Sequence, residues 1–341
     1  MKKRLHYGSF LLLANGILVV LSLGIWYNHM WGGSQVGFFG ALQLITLPIL
    51  GCHLLFALIW ILKRSKWALL SLFVLALSYW SFGDFLKFRG SAIENNTGFS
   101  LMSYNAKGFN RFGWIKIPKA GDSISAFMKE VDPDILCIQE HNLIRNKQLR
   151  QYPNKMATPS GTHKSKQAIF SKFPIIGEGS LDLPKSGNNI VFADIVIAAD
   201  TIRVYNVHLE SFKIVPDHTD VSSKTSERLY QRITSTIERQ RAQVQLLNQH
   251  ISGSPYKVVV CGDFNNTQFS RVYRLLANDM GDSFQVKGKG FGSTYSLKGI
   301  PMRIDYILAD EAFEFLAHYN YRKGYSDHEP IMARIRLKPN E

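Results

Sequence analysis

Cysteine is scarce in this chain. Three occur in 341 residues, Cys52, Cys137 and Cys261, with no C-x-x-C among them. That excludes a disulfide framework and the usual zinc spacings. Cys137 and Cys261 lie inside β-branched runs and read as small buried hydrophobes. Acid is also short in one region: residues 1–90 hold a single acid, Asp84, against eight Lys or Arg. There is no internal repeat and no low-complexity tract. The glycine-rich stretch Lys287–Tyr295 lacks the order of a Walker A loop, which argues against P-loop nucleotide binding.

The acid-poor region has long apolar runs instead, at about 8–27, 36–62 and 67–86. Each is near the roughly 20 residues needed to cross a bilayer as a helix. Trp26, Tyr27, Trp31, Trp60, Trp67 and Trp80 cluster near their ends, as interfacial aromatics do. No small-residue cleavage site follows the first run, and two more runs come after it, so a cleaved signal peptide is disfavoured. Lys2, Lys3 and Arg4 precede the first run, and Lys63, Arg64 and Lys66 fill the loop after the second. The positive-inside rule puts both on the cytoplasmic side, with the C-terminal part outside. The expected organisation is a membrane anchor of three transmembrane helices over 1–89, a polar linker over 90–98 and a further domain over 99–341. The chain reads as a multi-pass integral membrane protein with a cytoplasmic N-terminus. Its domain is extracytoplasmic, facing the periplasm if the cell is Gram-negative.

From Phe99 onward strands and helices alternate. Strands are expected at Phe99–Tyr104, Ile135–Gln139, Ala168–Ser171, Asn189–Ala198, Thr201–His208, Lys257–Cys261, Ile304–Leu308 and Pro330–Leu337. Helices are expected at Ser123–Val131 and Gln268–Leu276, with a long helix or helix pair over Ser222–His250. Hairpins mixed with crossover helices suggest an α/β sandwich of two sheets.

Most of these strands end in short polar motifs. In order they are Ser103-Tyr104-Asn105, Ile138-Gln139-Glu140, Asn206-Val207-His208, Gly262-Asp263-Phe264-Asn265 and Ser326-Asp327-His328, with Arg303-Ile304-Asp305-Tyr306 just before the last. Strand ends can converge carboxylate, amide and imidazole groups on one point. Phosphoester hydrolysis needs such a point: a cation for the non-bridging oxygens, a base for water, and a group for the leaving oxygen. Glu140, Asn105 and Asp327 offer the oxygen donors that Mg²⁺ prefers. Asp263 and Asn265 are separated by one residue, so in an extended segment they face the same side and can hold one water. Asp305 and His328 can form a carboxylate–imidazole pair, and His208 offers a second imidazole to a phosphate oxygen. Singly, each has a plain structural alternative, such as a turn residue or a helix cap.

Together these motifs resemble the endonuclease/exonuclease/phosphatase superfamily, the DNase I-like group. The resemblance covers about residues 98–338. It implies a four-layer α/β sandwich and Mg²⁺- or Mn²⁺-dependent phosphoester cleavage. By the same resemblance Glu140 is the main metal ligand, with Asn105 and Asp327 beside it. Asp263 and Asn265 handle the water, Asp305 orients His328, and His208 contacts the phosphate. Lys107 stands where abasic-site enzymes carry an acid, which points away from that branch and toward the DNase I, sphingomyelinase and phosphatase branches.

Beyond residue 90 the chain carries 32 basic and 25 acidic residues, net +7. That favours an anionic partner. Nucleic acid is the preferred substrate class and phospholipid the alternative, with the lipid bilayer as the other partner. No protein partner is inferred. Two stretches are candidate phosphate contacts: the basic arm Ser211–Arg241, otherwise a solvated helix face, and the Lys287–Tyr295 loop.

Overall fold

A computed structural model describes residues 2–32, 37–83, 85–88, 90, 98–159, 164–213, 223–277 and 279–339. It forms two compact units. One holds Met1–Phe85 with Asp220–Glu238 and Thr267–Arg274, and the other holds the remainder.

The first unit is helical: α1 (Lys2–Trp31), α2 (Phe38–Leu42), which passes through a 3₁₀ turn at Gln43–Ile45 into α3 (Thr46–Leu62), and α4 (Ala68–Ser81). Pro48 lies in the first turn of α3, where its missing N–H costs no helical hydrogen bond. The few polar side chains among the apolar ones find each other. Ser71 Oγ donates to Asn15 Oδ1 at 2.9 Å, and the His53 ring lies 3.0 Å from Ser22 Oγ and 3.2 Å from Ser71 Oγ. This network ties α1, α3 and α4 together, since buried polar groups in apolar surroundings must be paired. The segment Thr267–Arg274 belongs to this unit through Phe269, whose ring packs on Phe82 and Phe85 and whose carbonyl meets His29 Nδ1 at 2.9 Å.

Three full spans were expected, and the described residues contain two helices long and apolar enough to cross a membrane, Gly8–Trp31 and Phe38–Leu62. The third run, expected over 67–86, is helical only over the 14 residues of α4. At about 1.5 Å per residue that length falls short of a hydrocarbon core of about 30 Å. The sequence reading counted apolar residues, but the helix stops at Ser81, before Phe82 and Gly83.

The second unit is built on two six-stranded sheets. In chain order its elements are β1 (Phe99–Asn105), α5 (Ala120–Val131), β2 (Ile135–Gln139), β3 (Asn154–Ala157), β4 (Ala168–Ser171), β5 (Ile175–Asp182), β6 (Asn189–Ile197) and β7 (Asp200–His208). Next come α6 (Ser223–Ser252), β8 (Lys257–Asp263), α7 (Arg271–Ala277), β9 (Gly281–Asp282), α8 (Ser283–Lys287), β10 (Tyr295–Leu297), β11 (Ile300–Met302), β12 (Asp305–Ala309), β13 (Phe313–Asn320) and β14 (Ile331–Leu337). The N-terminal half of α6 and most of α7 cluster with the helical unit. The sheets run β13-β14-β1-β2-β4-β3 and β5-β6-β7-β8-β12-β9, and β10-β11 is a separate hairpin.

Side chains alternate along each strand, so one face of each sheet turns to the other sheet. Phe99, Leu101, Ile135 and Cys137 from the first sheet meet Val204, Val259, Cys261 and Ile307 from the second in one buried core. The opposite residues, Met102, Tyr104, Leu136 and Ile138, pack against Ile124, Phe127 and Met128 of α5. On the outer face of the second sheet, His250 of α6 packs on Phe192 and meets the Tyr205 hydroxyl at 2.7 Å. The fold is thus a mixed α/β two-sheet sandwich with helices outside.

Candidate active site

The inward-facing residues that are apolar along most of each strand become polar at one end. The row Leu101, Ser103, Asn105 does so in β1, and Ile135, Cys137, Gln139 in β2. In the second sheet the rows are Val204, Asn206, His208 in β7 and Val259, Cys261, Asp263 in β8. β12 is antiparallel and begins at this end with Asp305. Register then aligns the groups: Asn105 opposite Gln139, and His208, Asp263 and Asp305 side by side across three strands. The strand alternation that builds the core also builds the site.

Each residue of Gly262-Asp263-Phe264-Asn265 has a separate task. Gly262 has φ +138°, and a Cβ there would run into the Val207 backbone of β7. Only glycine lets the two strands approach so closely. Phe264 is buried with its ring 4.8 Å from that of Tyr306. Asn265 turns back in a left-handed conformation, φ 50°, so the segment is not extended as expected. Its backbone N–H still donates to Asp263 Oδ1 at 2.8 Å, and its Nδ2 lies 3.3 Å from Oδ2.

Asp263 is the hub. Its Oδ2 accepts from Asn105 Nδ2 at 2.9 Å and lies 3.6 Å from both His208 Nε2 and His328 Nε2. Burial raises the Asp263 carboxyl above its ordinary range, against the pull of His328. His328 Nδ1 pairs with Asp305 Oδ2 at 2.9 Å. Burial alone would strip the His328 proton, but Asp305 and Asp263 outweigh it and hold the ring's pKa near 10. His208 is pushed down to about 4 by burial and stays neutral. The two imidazoles beside one carboxylate therefore differ in charge.

Glu140 and Asp327 stand apart from this buried cluster and are more open, with side chains 26 % and 31 % exposed. Glu140 follows β2 in a left-handed turn, φ 48°. The Lys107 ammonium lies 3.2 Å from Asp327 Oδ2 and 3.9 Å from Glu140 Oε1. Burial works against that charge, but the two acids keep it above its ordinary value. Asn105 Nδ2 reaches Glu140 Oε1 at 3.5 Å, while its Oδ1 accepts the Lys107 N–H at 3.1 Å. Asn105 is therefore oriented by hydrogen bonds on both sides of its amide. A divalent cation fits this donor set: oxygen atoms, partly open to water, that already draw one positive charge. Asp263, Asp305 and His328 also have ligand atoms within 4.8 Å of one another. A protonated imidazole is no metal ligand, so they suit proton handling better.

Other motif residues are structural. Gln139 Nε2 bonds Ser103 Oγ at 3.1 Å and Asn206 Oδ1 at 2.6 Å, which ties the two sheets beneath the site. Arg303 is buried in an ion pair with Asp282 at 2.6 Å, between the Phe284 and Tyr306 rings. In the Lys287–Tyr295 loop three amides are engaged within the protein. Those of Gly288, Gly290 and Thr294 bond the carbonyls of Phe284, Lys87 and Met302. Sequence reasoning missed Thr294, whose Oγ1 accepts the Asp305 N–H at 3.2 Å, and Tyr295, whose ring lies 5.1 Å from that of His328. Ser326, named only as part of its motif, donates to the Asn105 carbonyl at 2.8 Å. Within the basic arm, Lys213 and Arg239 pair with the buried Glu210 at 3.9 and 3.8 Å, and residues 214–222 lie outside the described residues.

Comparison with known proteins agrees with this fold. D. rerio TDP2, in a complex with a single-strand DNA product, superposes with TM-score 0.55 at 15 % identity, over 71 % of this chain and 100 % of that one. An endonuclease/exonuclease/phosphatase family protein from Bacteroides thetaiotaomicron gives 0.53 at 16 % identity, over 71 % and 99 %. Truncated Caenorhabditis elegans TDP2 gives 0.51 at 18 % identity, over 72 % and 99 %. No match was found among curated proteins. A family model described as a domain of unknown function matches residues 8–85. The Endonuclease/Exonuclease/phosphatase family model matches residues 102–328, from the first inward strand to His328, and the chain belongs to that family of metal-dependent phosphoester hydrolases.

Proposed function

We propose that the protein is a membrane-anchored, Mg²⁺-dependent phosphodiesterase of nuclease type. The observation that carries this reading is the open Glu140–Asp327 pair set beside the buried Asp263, His208 and Asp305–His328 cluster. Glu140 and Asp327 would hold the ion, and Asn105 would steady Glu140. When bound, Mg²⁺ neutralises non-bridging oxygens and polarises the phosphoester.

The chain's own groups divide the remaining work. Asp263, with its proton affinity raised by burial, takes the proton of the attacking water that Asn265 helps to hold. His328, kept protonated by Asp305, donates to a phosphate oxygen. Neutral His208 donates a hydrogen bond to another without adding charge.

Nucleic acid is the favoured substrate because residues 91–341 are net basic and a structural neighbour of this fold holds a single-strand DNA product. Residues 1–89 are taken as the anchor, 90–98 as the linker and 99–341 as the catalytic domain, outside the cytoplasm. The anchor also favours a second reading, a lipid phosphodiesterase, because a tethered site meets headgroups at high local concentration.

The test is a phosphoester panel on the detergent-solubilised chain: single- and double-stranded DNA, RNA, sphingomyelin and phosphoinositides, each with Mg²⁺ and with EDTA. Metal-dependent cutting of a nucleic acid supports the proposal, and turnover of phospholipid alone moves it to the second reading. A reporter active only outside the cytoplasm, fused after Glu341, tests the topology. Signal only from a cytoplasmic reporter would reverse it.

A further inference from the structure

The loop after β1 has features that the proposed chemistry does not use. From Ala106 to Lys119 it carries Lys107, Arg111, Lys116 and Lys119 and no acid. Within it Phe112 and Trp114 are 65 % and 56 % exposed, in a domain whose other large aromatics are mostly buried. Their rings form a tilted pair with centroids 4.9 Å apart. The pair is held by its loop. The Asn110 side chain donates to the Ile115 carbonyl and accepts the Ile115 N–H, both at 2.8 Å, which closes the chain around them.

The ring pair is also linked to the metal ligands. The Lys107 ammonium lies 5.3 Å from the Trp114 ring centroid and 3.2 Å from Asp327 Oδ2. One lysine thus touches both the aromatic platform and the acid pair. The Arg111 guanidinium lies over the Phe112 ring, 5.5 Å from its centroid. Arg111 also lines, with Lys119, Arg145 and Lys147, a cleft of about 560 Å³. Acyl chains seek a continuous apolar surface, whereas this one is edged by cations. A nucleotide presents the matching pair of groups, a π-face and a phosphate joined by one sugar.

We propose that Trp114 and Phe112 form a stacking site for an unpaired base of a single-stranded nucleic acid, one that positions its neighbouring phosphate toward Lys107 and the Glu140–Asp327 pair. This inference rests on the nuclease reading and narrows it to strands whose bases are free to unstack. Duplex DNA hides its base faces and gains nothing from the platform.

The experiment uses the full-length solubilised chain in EDTA, so that binding is read without turnover. Two labelled oligonucleotides of equal length are compared, oligodeoxythymidylate and an abasic strand. The wild type should prefer the base-bearing strand by roughly tenfold or more, the scale of one stacking contact. Trp114→Ala should bring that preference close to unity, and Trp114→Phe, which keeps a ring, should retain most of it. Because Trp114 is exposed, its truncation leaves no core cavity. An unchanged preference in Trp114→Ala overturns the stacking site and leaves the nuclease reading standing. If that variant keeps the preference but loses binding to phosphatidylglycerol vesicles, the rings are a membrane contact and the proposal is wrong. Failure of the wild type to bind either strand at low salt sinks the nuclease reading, and the platform with it.

Discussion

At the scale of single residues, the site depends on one carboxylate between two imidazoles of unlike charge. Asp263 is desolvated, so its proton affinity rises, and His328 beside it is kept cationic by Asp305. In the proposed chemistry Asp263→Asn removes the base and His328→Ala removes the donor. Each should lower kcat by about 10² or more, the usual worth of a positioned acid or base. Steady-state kinetics on any cleavable diester would check this, and near-wild-type turnover in both variants would mean that the chemistry lies elsewhere. The motif residues were legible in the sequence because their chemical type announces their use. Lys107 was seen only as a departure from a family pattern. Its ion pairs with Glu140 and Asp327 arise from three separate loops meeting, which no local pattern records. Thr294 was hidden for the same reason, in a loop where only the glycines stood out.

At the scale of elements, legibility follows position in the sheet. The eight strands expected from the sequence are β1, β2, β4, β6, β7, β8, β12 and β14, and all are interior. The missed strands of the two large sheets, β3, β5, β9 and β13, are their four edges. Interior strands are apolar on both faces and read as β-branched runs. Edge strands are shorter, more polar or irregular. β5 alternates half-buried and exposed residues, and its Gly177 and Gly179 leave room for Asp194 and Phe192 of β6. β13 breaks register between Phe315 and Ala317. The polar motifs lie at the ends of interior strands, so the candidate site was easier to read than the outline of the fold. Strand contact also sets a prediction at Gly262. Gly262→Ala puts a Cβ against the Val207 backbone at φ +138°, so β7 and β8 must separate. The cost should be about 1–3 kcal/mol or more, read as a lowered Tm, with activity falling because Asp263 moves with the strand. An unchanged Tm and activity would contradict this account of the motif.

At the scale of the whole molecule, buried histidines make stability depend on pH. His141, His208 and His318 are desolvated, and their pKa values fall to about 4 from an ordinary 6.5. The unfolded chain takes up protons that the folded chain refuses, so stability drops as pH falls from 6.5 toward 4. Asp263, raised by burial, works against them, one carboxylate against three imidazoles. His328 acts in the opposite direction. Its folded pKa is raised to about 10, so its contribution is complete below 6.5 and is lost as pH rises through 10. Thermal unfolding across this range should peak near pH 6.5, and His318→Gln should flatten the acid limb. A midpoint that does not change between pH 4 and 10 would contradict these assignments. The N-terminal helical unit was the least legible part at this scale. Apolar composition marked three runs, and the described residues hold two helices of spanning length, because helix ends depend on local packing and capping as well as on hydropathy.

The central claim is that Glu140 and its neighbours hold a divalent cation without which Asp263 and His328 cannot act. The most direct measurement strips the full-length protein with EDTA and titrates Mg²⁺ back, following cleavage of a single-stranded oligonucleotide by the wild type and by Glu140→Ala. The account predicts no turnover in EDTA, full recovery of the wild type with added Mg²⁺, and recovery of the variant only at far higher concentration or not at all. Undiminished cleavage in EDTA, or the same Mg²⁺ dependence in both proteins, would contradict it.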